Sequence, residues 1–113
     1  VRARADRLEE DALARIAKAH AGAGDVLLLR EEMSSDGVRR LCDAVSAQCG
    51  GRCAVFAGAD GGYKYAVIHP GQDISALVKH MNRALNGRGG GRDGFAQGSV
   101  AATAEEIRAF FDN

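Results

Sequence analysis

The chain has 113 residues, 15 basic and 15 acidic side chains and a formal charge of zero, with 46% hydrophobic and 27% charged residues. That length makes one domain with a single modest core, and the composition is that of an ordinary globular protein. Neutral balance excludes a domain-wide field that draws in a polyanion from a distance, and leaves room for a local basic patch.

No apolar run approaches the roughly 20 residues that span a bilayer; Val26 to Leu29 and Cys53 to Ala57 are far shorter. The opening alternation of Arg and Ala has no apolar core of a signal peptide. Three cysteines, Cys42, Cys49 and Cys53, are odd in number and close together, which suits a reducing cytoplasm better than a disulfide framework. The start lacks Met and falls in mid-helix. The expectation is a piece of a longer cytoplasmic protein, with no membrane contact.

From Val1 to about Ala21 the apolar residues Ala5, Leu8, Ala12, Ile16 and Ala19 recur at helical spacing. The stripe is mostly Ala and buries little area per residue, so this helix is expected to lean on the rest of a parent protein or on a second subunit. Gly22 and Gly24 end it, which divides the chain into an N-terminal helix, residues 1–22, and a globular part, residues 23–113.

Val26 to Leu29 reads as a strand buried on both faces. Ser34, Ser35 and Asp36 offer cap oxygens to a helix with Val38, Leu41, Cys42 and Val45 on one stripe, stopped by Gly50 and Gly51. Cys53 to Ala57 and Tyr63 to Ile68 are two strands joined through an Asp60-Gly61 turn, hence a hairpin. Asp73 caps a helix carrying Ile74, Leu77, Val78, Met81 and Leu85. After the glycine-rich segment comes a short final strand. Thr103 and Glu106 then form a capping box for a last helix with Ile107, Phe110 and Phe111. Helices alternating with strands predict an α/β domain, with a mixed sheet of about four strands covered by helices.

The segment Gly87 to Ser99 holds six glycines and the arginines Arg88 and Arg92. A long structureless linker is out of place between two well-signalled elements of a small domain. Glycine lets backbone approach a ligand, and exposed N–H groups beside Arg make an anion site. The expectation is a phosphate-cradling loop. It is not a P-loop, since no Gly-Lys-Ser/Thr follows, and it follows a helix instead of the strand that a dinucleotide fingerprint requires.

Gly87-Arg88-Gly89-Gly90-Gly91-Arg92-Asp93-Gly94-Phe95-Ala96-Gln97-Gly98-Ser99 resembles the glycine-rich signature of the DHH-associated domain. That domain ends alanyl-tRNA synthetases, long-form alanyl-tRNA editing proteins and DHH phosphoesterases. The likeness runs from about Gly24 to Asn113. Synthetases usually carry Arg-Pro-Asp-Met-Ala-Gln-Gly-Gly, so Arg92, Ala96, Gln97 and Gly98 match while the Pro-Asp-Met part does not. Gly94 to Ser99 is closer to the editing proteins. The phosphoesterases usually have His where Arg92 stands.

The resemblance implies a domain that grips tRNA, alanine tRNA first, at its outer corner and that helps its parent form a homodimer. It places Gly89, Gly90, Gly91 and Arg92 against phosphate or ribose. Gln97, which either hydrogen-bonds the ligand or braces the loop, and Gly98 belong to the same binding site, and Arg83 and Arg88 flank the loop as charge helpers. Phe95 is either a base-stacking ring or a core plug. The alternatives are the substrate-binding half of a DHH phosphoesterase and a purely dimerising or docking domain, with Leu8, Ala12 and Ile16 as its seam.

The resemblance also implies a zinc-dependent aminoacyl-tRNA hydrolase, or a ligase, as parent. Its paired metal ligands have no counterpart here, since His20, His69 and His80 are isolated. No catalytic residue, metal site or cofactor is expected in this chain, and zinc belongs to the missing catalytic part. Cys42 and Cys53 read as small buried hydrophobes. Tyr63 and Tyr65 share one face of their strand while Lys64 points to the other, as half-buried strand tyrosines do.

Overall fold

The computed structural model describes residues 13–112 except 32 and 93. Five strands form one sheet in the order β1-β2-β3-β5-β4: β1 (Gly24–Arg30), β2 (Gly50–Ala59), β3 (Gly62–Ile68), β4 (Gly87–Arg92) and β5 (Phe95–Val100). Only β1 and β2 are parallel, joined through α2 (Ser35–Cys49); every other pair is antiparallel. Residues 13–19 are helical (α1), and α3 (Ser75–Ala84) and α4 (Ala104–Asp112) complete the set.

Side-chain caps open α2 and α4 as their residue types dictate, whereas α3 starts from Ile74, whose side chain makes no cap bond, with Asp73 one residue before it. Ser34 Oγ accepts the Gly37 N–H at 3.0 Å, and Gly50, at φ 81°, ends α2 in the left-handed region that glycine enters without strain. Asp73 accepts the Ser75 N–H at 2.9 Å and the Ser75 hydroxyl at 2.7 Å. Those two bonds hold the Asp73 carboxyl below the usual carboxylate range. Thr103 Oγ1 accepts the Glu106 N–H and Glu106 Oε1 accepts the Thr103 N–H, a complete capping box at 3.1 and 3.0 Å. The Ala104 N–H donates to Asp60, which pins the β2–β3 turn to the start of α4.

Pleat alternation divides the core in two. On one face Val55, Ala57, Ala66 and Ile68 pack under α1 and α2, against Leu13, Ala17, Val38, Leu41, Cys42 and Val45. On the other, Phe56, Tyr63, Tyr65 and Val67 pack against Val78 and Met81 of α3 and Ile107 of α4. Cys42, Cys49 and Cys53 are free and buried in the first core. The Cys42 thiol donates to the Cys53 and Ala66 carbonyls; its hydrogen bonding with Cys53, then burial, pushes it well above the ordinary thiol range.

Two expectations change. The sheet has five strands, because the glycine segment supplies an extra one. Val26 to Leu29 is not buried on both faces: β1 is a sheet edge, and only Val26 is fully buried there while Leu27, Leu28 and Leu29 are half-exposed. Of the three residues expected in a dimer seam, Ile16 is half-exposed and packs in part against the α2-side core of its own chain; Leu8 and Ala12 lie outside the described residues.

Tyr65 is fully buried, and its hydroxyl donates to Asn82 Oδ1 at 3.1 Å. Burial pushes its phenol up, with the Asn82 bond opposing; Tyr63 shifts the same way, by burial and then the Asp60 carboxylate. An acid with a raised folded pKa keeps its proton longer in the folded chain, so its contribution is full below the unfolded value and is lost as pH rises through the folded one. Stability is therefore expected to fall above about pH 10. Tyr65→Phe should flatten part of that alkaline fall in urea midpoints taken against pH, while costing about 1 kcal/mol at neutral pH through the orphaned Asn82. An unchanged alkaline limb would remove Tyr65 from the titration.

Candidate nucleic-acid interface

The glycine segment is a β-hairpin, not a loop. Gly87↔Val100, Gly89↔Gly98, Gly91↔Ala96 and Arg92↔Phe95 are cross-strand partners, with residues 93 and 94 between the strands. Asn86, at φ 53°, turns the chain out of α3 into β4, a left-handed position that Asn tolerates better than most residues. The strand then runs along the sheet edge over α3.

Alternation gives its glycines two different jobs. Gly87, Gly89 and Gly91 face α3, where there is no room for a side chain. A Cβ on Gly87 would lie 2.7 Å from Val100 and 2.9 Å from Asn82, and one on Gly89 would lie 2.6 Å from Tyr65 Oη; one on Gly91 would overlap the Phe95 carbonyl and Ala96. Gly98 has the same constraint, since its Cβ would strike the Arg88 carbonyl and Tyr65 Oη. The Asn82 amide, held by Tyr65, donates to the Gly89 carbonyl at 3.2 Å. Gly90 is the exception: a Cβ there meets nothing within 4 Å.

On the α2 side the hairpin is uncovered, and its exposed residues fall into cross-strand rows. Lys64 pairs with Ser99, which pairs with Arg88, placing the two cations two strands apart, about 10 Å between backbones. All three are exposed and line an open depression of about 500 Å³ with Asn86. In the next row Ala66 pairs with Gln97 and Gln97 with Gly90. Gln97 Nε2 donates to the Ser35 carbonyl at 2.9 Å, bracing the hairpin against the start of α2. Phe95 is half-buried against the α2-side core. That packing fits the core-plug reading of its ring.

Across β4, a second groove of about 490 Å³ runs between the strand and α3, lined by Asp73, Ser75, Lys79, Asn82 and the backbone of Gly89, Gly90 and Gly91. Lys79 is exposed, as is Arg83 one turn further along α3. The start of α3 already holds the Asp73 carboxylate, which occupies the place an external anion would take. Asp73 is the one acid among the described residues lining either groove. A chain of zero net charge thus gathers Lys64, Lys79 and Arg88 around one strand, with Arg83 exposed one turn further along α3.

Sequence reasoning placed Arg83, Arg88 and the glycines here and missed Lys64, Ser99, Lys79 and Asn82. Asp93-Gly94, the same dipeptide that marks the β2–β3 turn, was the available hairpin signal; pairing across it brings Ser99 between Arg88 and Lys64. Among the described residues, no three His, Cys, Asp or Glu side chains come together as a metal site, and no helix is long and apolar enough to cross a membrane.

The fold is similar to a solved structure, the C-Ala domain of Aquifex aeolicus alanyl-tRNA synthetase. The TM-score is 0.64 at 16% identity, over 78% of this chain and 87% of that one. A search of curated protein sequences gave no match. The DHHA1 domain pattern matches residues 10–113, a span that takes in the whole sheet, both grooves and all the helices described. The chain belongs to the DHHA1 domain family.

Proposed function

We propose that this chain is the tRNA-binding C-terminal module of an alanyl-tRNA editing protein or alanyl-tRNA synthetase, and that it holds the nucleic acid along β4. The observation that carries this reading is the Lys64–Ser99–Arg88 row beside the open backbone of Gly90. Phosphates need cations at strand spacing and backbone that lets them come close, and both occur there. Lys64 and Arg88 take phosphates on the α2 side, and Lys79 and Arg83 on the α3 side. Arg92 stands two residues past Gly90 on the same strand. Gly89, Gly91, Gly98 and Gln97 serve by shaping and bracing the hairpin. Gly94 to Ser99 favours the editing protein as parent. Its hydrolytic chemistry and zinc lie in another part of that protein, and alanine tRNA is the first substrate to test.

The test is a salt titration of the chain against alanine-tRNA transcript, with an unrelated tRNA as control. The Lys64→Ala/Arg88→Ala double variant should bind more weakly and lower the slope of log affinity against log salt by about 2, one for each phosphate that is no longer neutralised. Arg92→Ala should take off about 1 more. An unchanged slope in the double variant would place the site elsewhere on the molecule.

A further inference from the structure

The far side of α3 carries a feature that the β4 grooves do not use. Arg52, near the start of β2, lies over the Phe111 ring with Cζ 5.0 Å from the centroid. Phe110 stands edge-on to Phe111 at 5.1 Å, and His80 of α3 lies against Phe110 at 5.3 Å. With Leu77 these residues wall a cavity of about 270 Å³ between α3 and α4. Phe110 and Phe111 are half-buried and His80 is exposed, so aromatic faces reach solvent.

The polar side chains of the cavity are Arg52 and His80, and no acid among the described residues lines it. Arg52 Nε is buried without a hydrogen-bond partner, and Nη2 lies 3.9 Å from Asp25, whose side chain is 61% exposed. The Arg52 guanidinium donors and the His80 imidazole, beside aromatic walls, match a planar guest with hydrogen-bonding edges. The outer surface of α3 links this cavity to β4: Lys79 lines the groove on one side of the helix, His80 lines the cavity on the other, and Arg83 follows one turn on.

We propose that this cavity receives one unpaired nucleobase of the nucleic acid that β4 holds, a proposal that rests on the reading of the chain as a nucleic-acid binder. The base packs against Phe110 and Phe111, Arg52 and His80 donate to its edge, and Lys79 and Arg83 hold the phosphates that cross α3. The volume suits a single ring system and is too small for a helix or strand of a protein partner.

The experiment compares binding of the full chain to a short RNA single strand and to a blunt duplex of the same sequence, at one salt concentration. The strand carries 2-aminopurine, whose fluorescence falls on stacking. Wild type should prefer the single strand about tenfold and quench the probe, one stacked base being sufficient for that factor. Phe110→Leu keeps apolar volume and removes the ring, and His80→Ala changes a side chain outside the core. Both variants should lose the preference and the quench while keeping duplex affinity. Lys64→Ala/Arg88→Ala should weaken single strand and duplex alike. Equal binding of the two RNAs by wild type, or variants that keep the full preference, would overturn the pocket alone and leave the β4 site standing. Failure to bind either RNA by a chain that binds tRNA would also overturn the pocket alone; failure to bind tRNA as well would overturn both readings.

Discussion

Gly89→Ala is expected to destabilise the domain by about 2–5 kcal/mol, while Gly90→Ala, one residue along the same strand, should leave stability within about 1 kcal/mol. Gly89 sits at φ 146°, a backbone region open to glycine and strained for any other residue. Its Cβ would lie 2.6 Å from the Gln97 carbonyl, the Gly98 Cα and Tyr65 Oη. None of these can yield: two are backbone of the paired strand, and the third is the tip of a fully buried side chain. At Gly90 the added methyl enters open space. Urea midpoints for the two variants check the contrast. A Gly89→Ala midpoint equal to wild type would mean that β4 does not lie over Tyr65 as described. The pair also separates structure from function. Gly90→Ala should weaken tRNA binding with its midpoint retained, because it takes away only the closeness of approach. Equal tRNA affinity in a stable Gly90→Ala would move the binding site off this strand.

That contrast shows where the sequence was informative. Helix limits were legible because their signals are local: Ser34, Asp73 and the Thr103–Glu106 pair each satisfy backbone groups within three residues of themselves, and Gly50 turns the chain out of α2 at a positive φ. The β2–β3 hairpin was legible for the same reason, from Asp60-Gly61 between two apolar runs. The glycine strand was not. A strand is recognised by side chains that alternate between a buried and a wet face, and Gly87, Gly89 and Gly91 have none. What excludes a side chain there is Tyr65, Asn82 and β5, and Tyr65 is more than twenty residues away in sequence. The grouping of Lys64 with Arg88 was hidden for a related reason. Strand alternation turns Lys64 away from the two tyrosines, but the face it points to is defined by β5 pairing with both β3 and β4. Likewise β1, apolar throughout, looked like a central strand; no local pattern reveals that nothing among the described residues pairs with its outer edge.

Phe56→Ala is the second large effect expected, about 3–5 kcal/mol of lost stability from the cavity it leaves. Phe56 is fully buried at the centre of β2, paired across the ladder with Tyr65. Its ring meets two others, Tyr65 and Phe111, each at 5.8 Å, and aromatic pairs of this kind add about 0.5–1.5 kcal/mol beyond burial. Against the roughly 5–15 kcal/mol that holds a domain of this class together, that loss is a large fraction. It should show as a lower urea midpoint with the slope of the transition retained. The damage should also have a direction. Phe111 rests on Phe56, and Phe111 with Phe110 and Arg52 forms the wall of the α3–α4 cavity. The Lys64–Ser99–Arg88 row lies on the opposite face of the sheet, three strands wide and braced separately through Gln97 and Ser35. In conditions where Phe56→Ala remains folded, the preference for unpaired RNA should therefore fall first, while the salt dependence set by Lys64 and Arg88 persists. If instead both are lost together at full helical content, the two faces are energetically one unit, and binding at β4 depends on how α4 packs beneath the sheet.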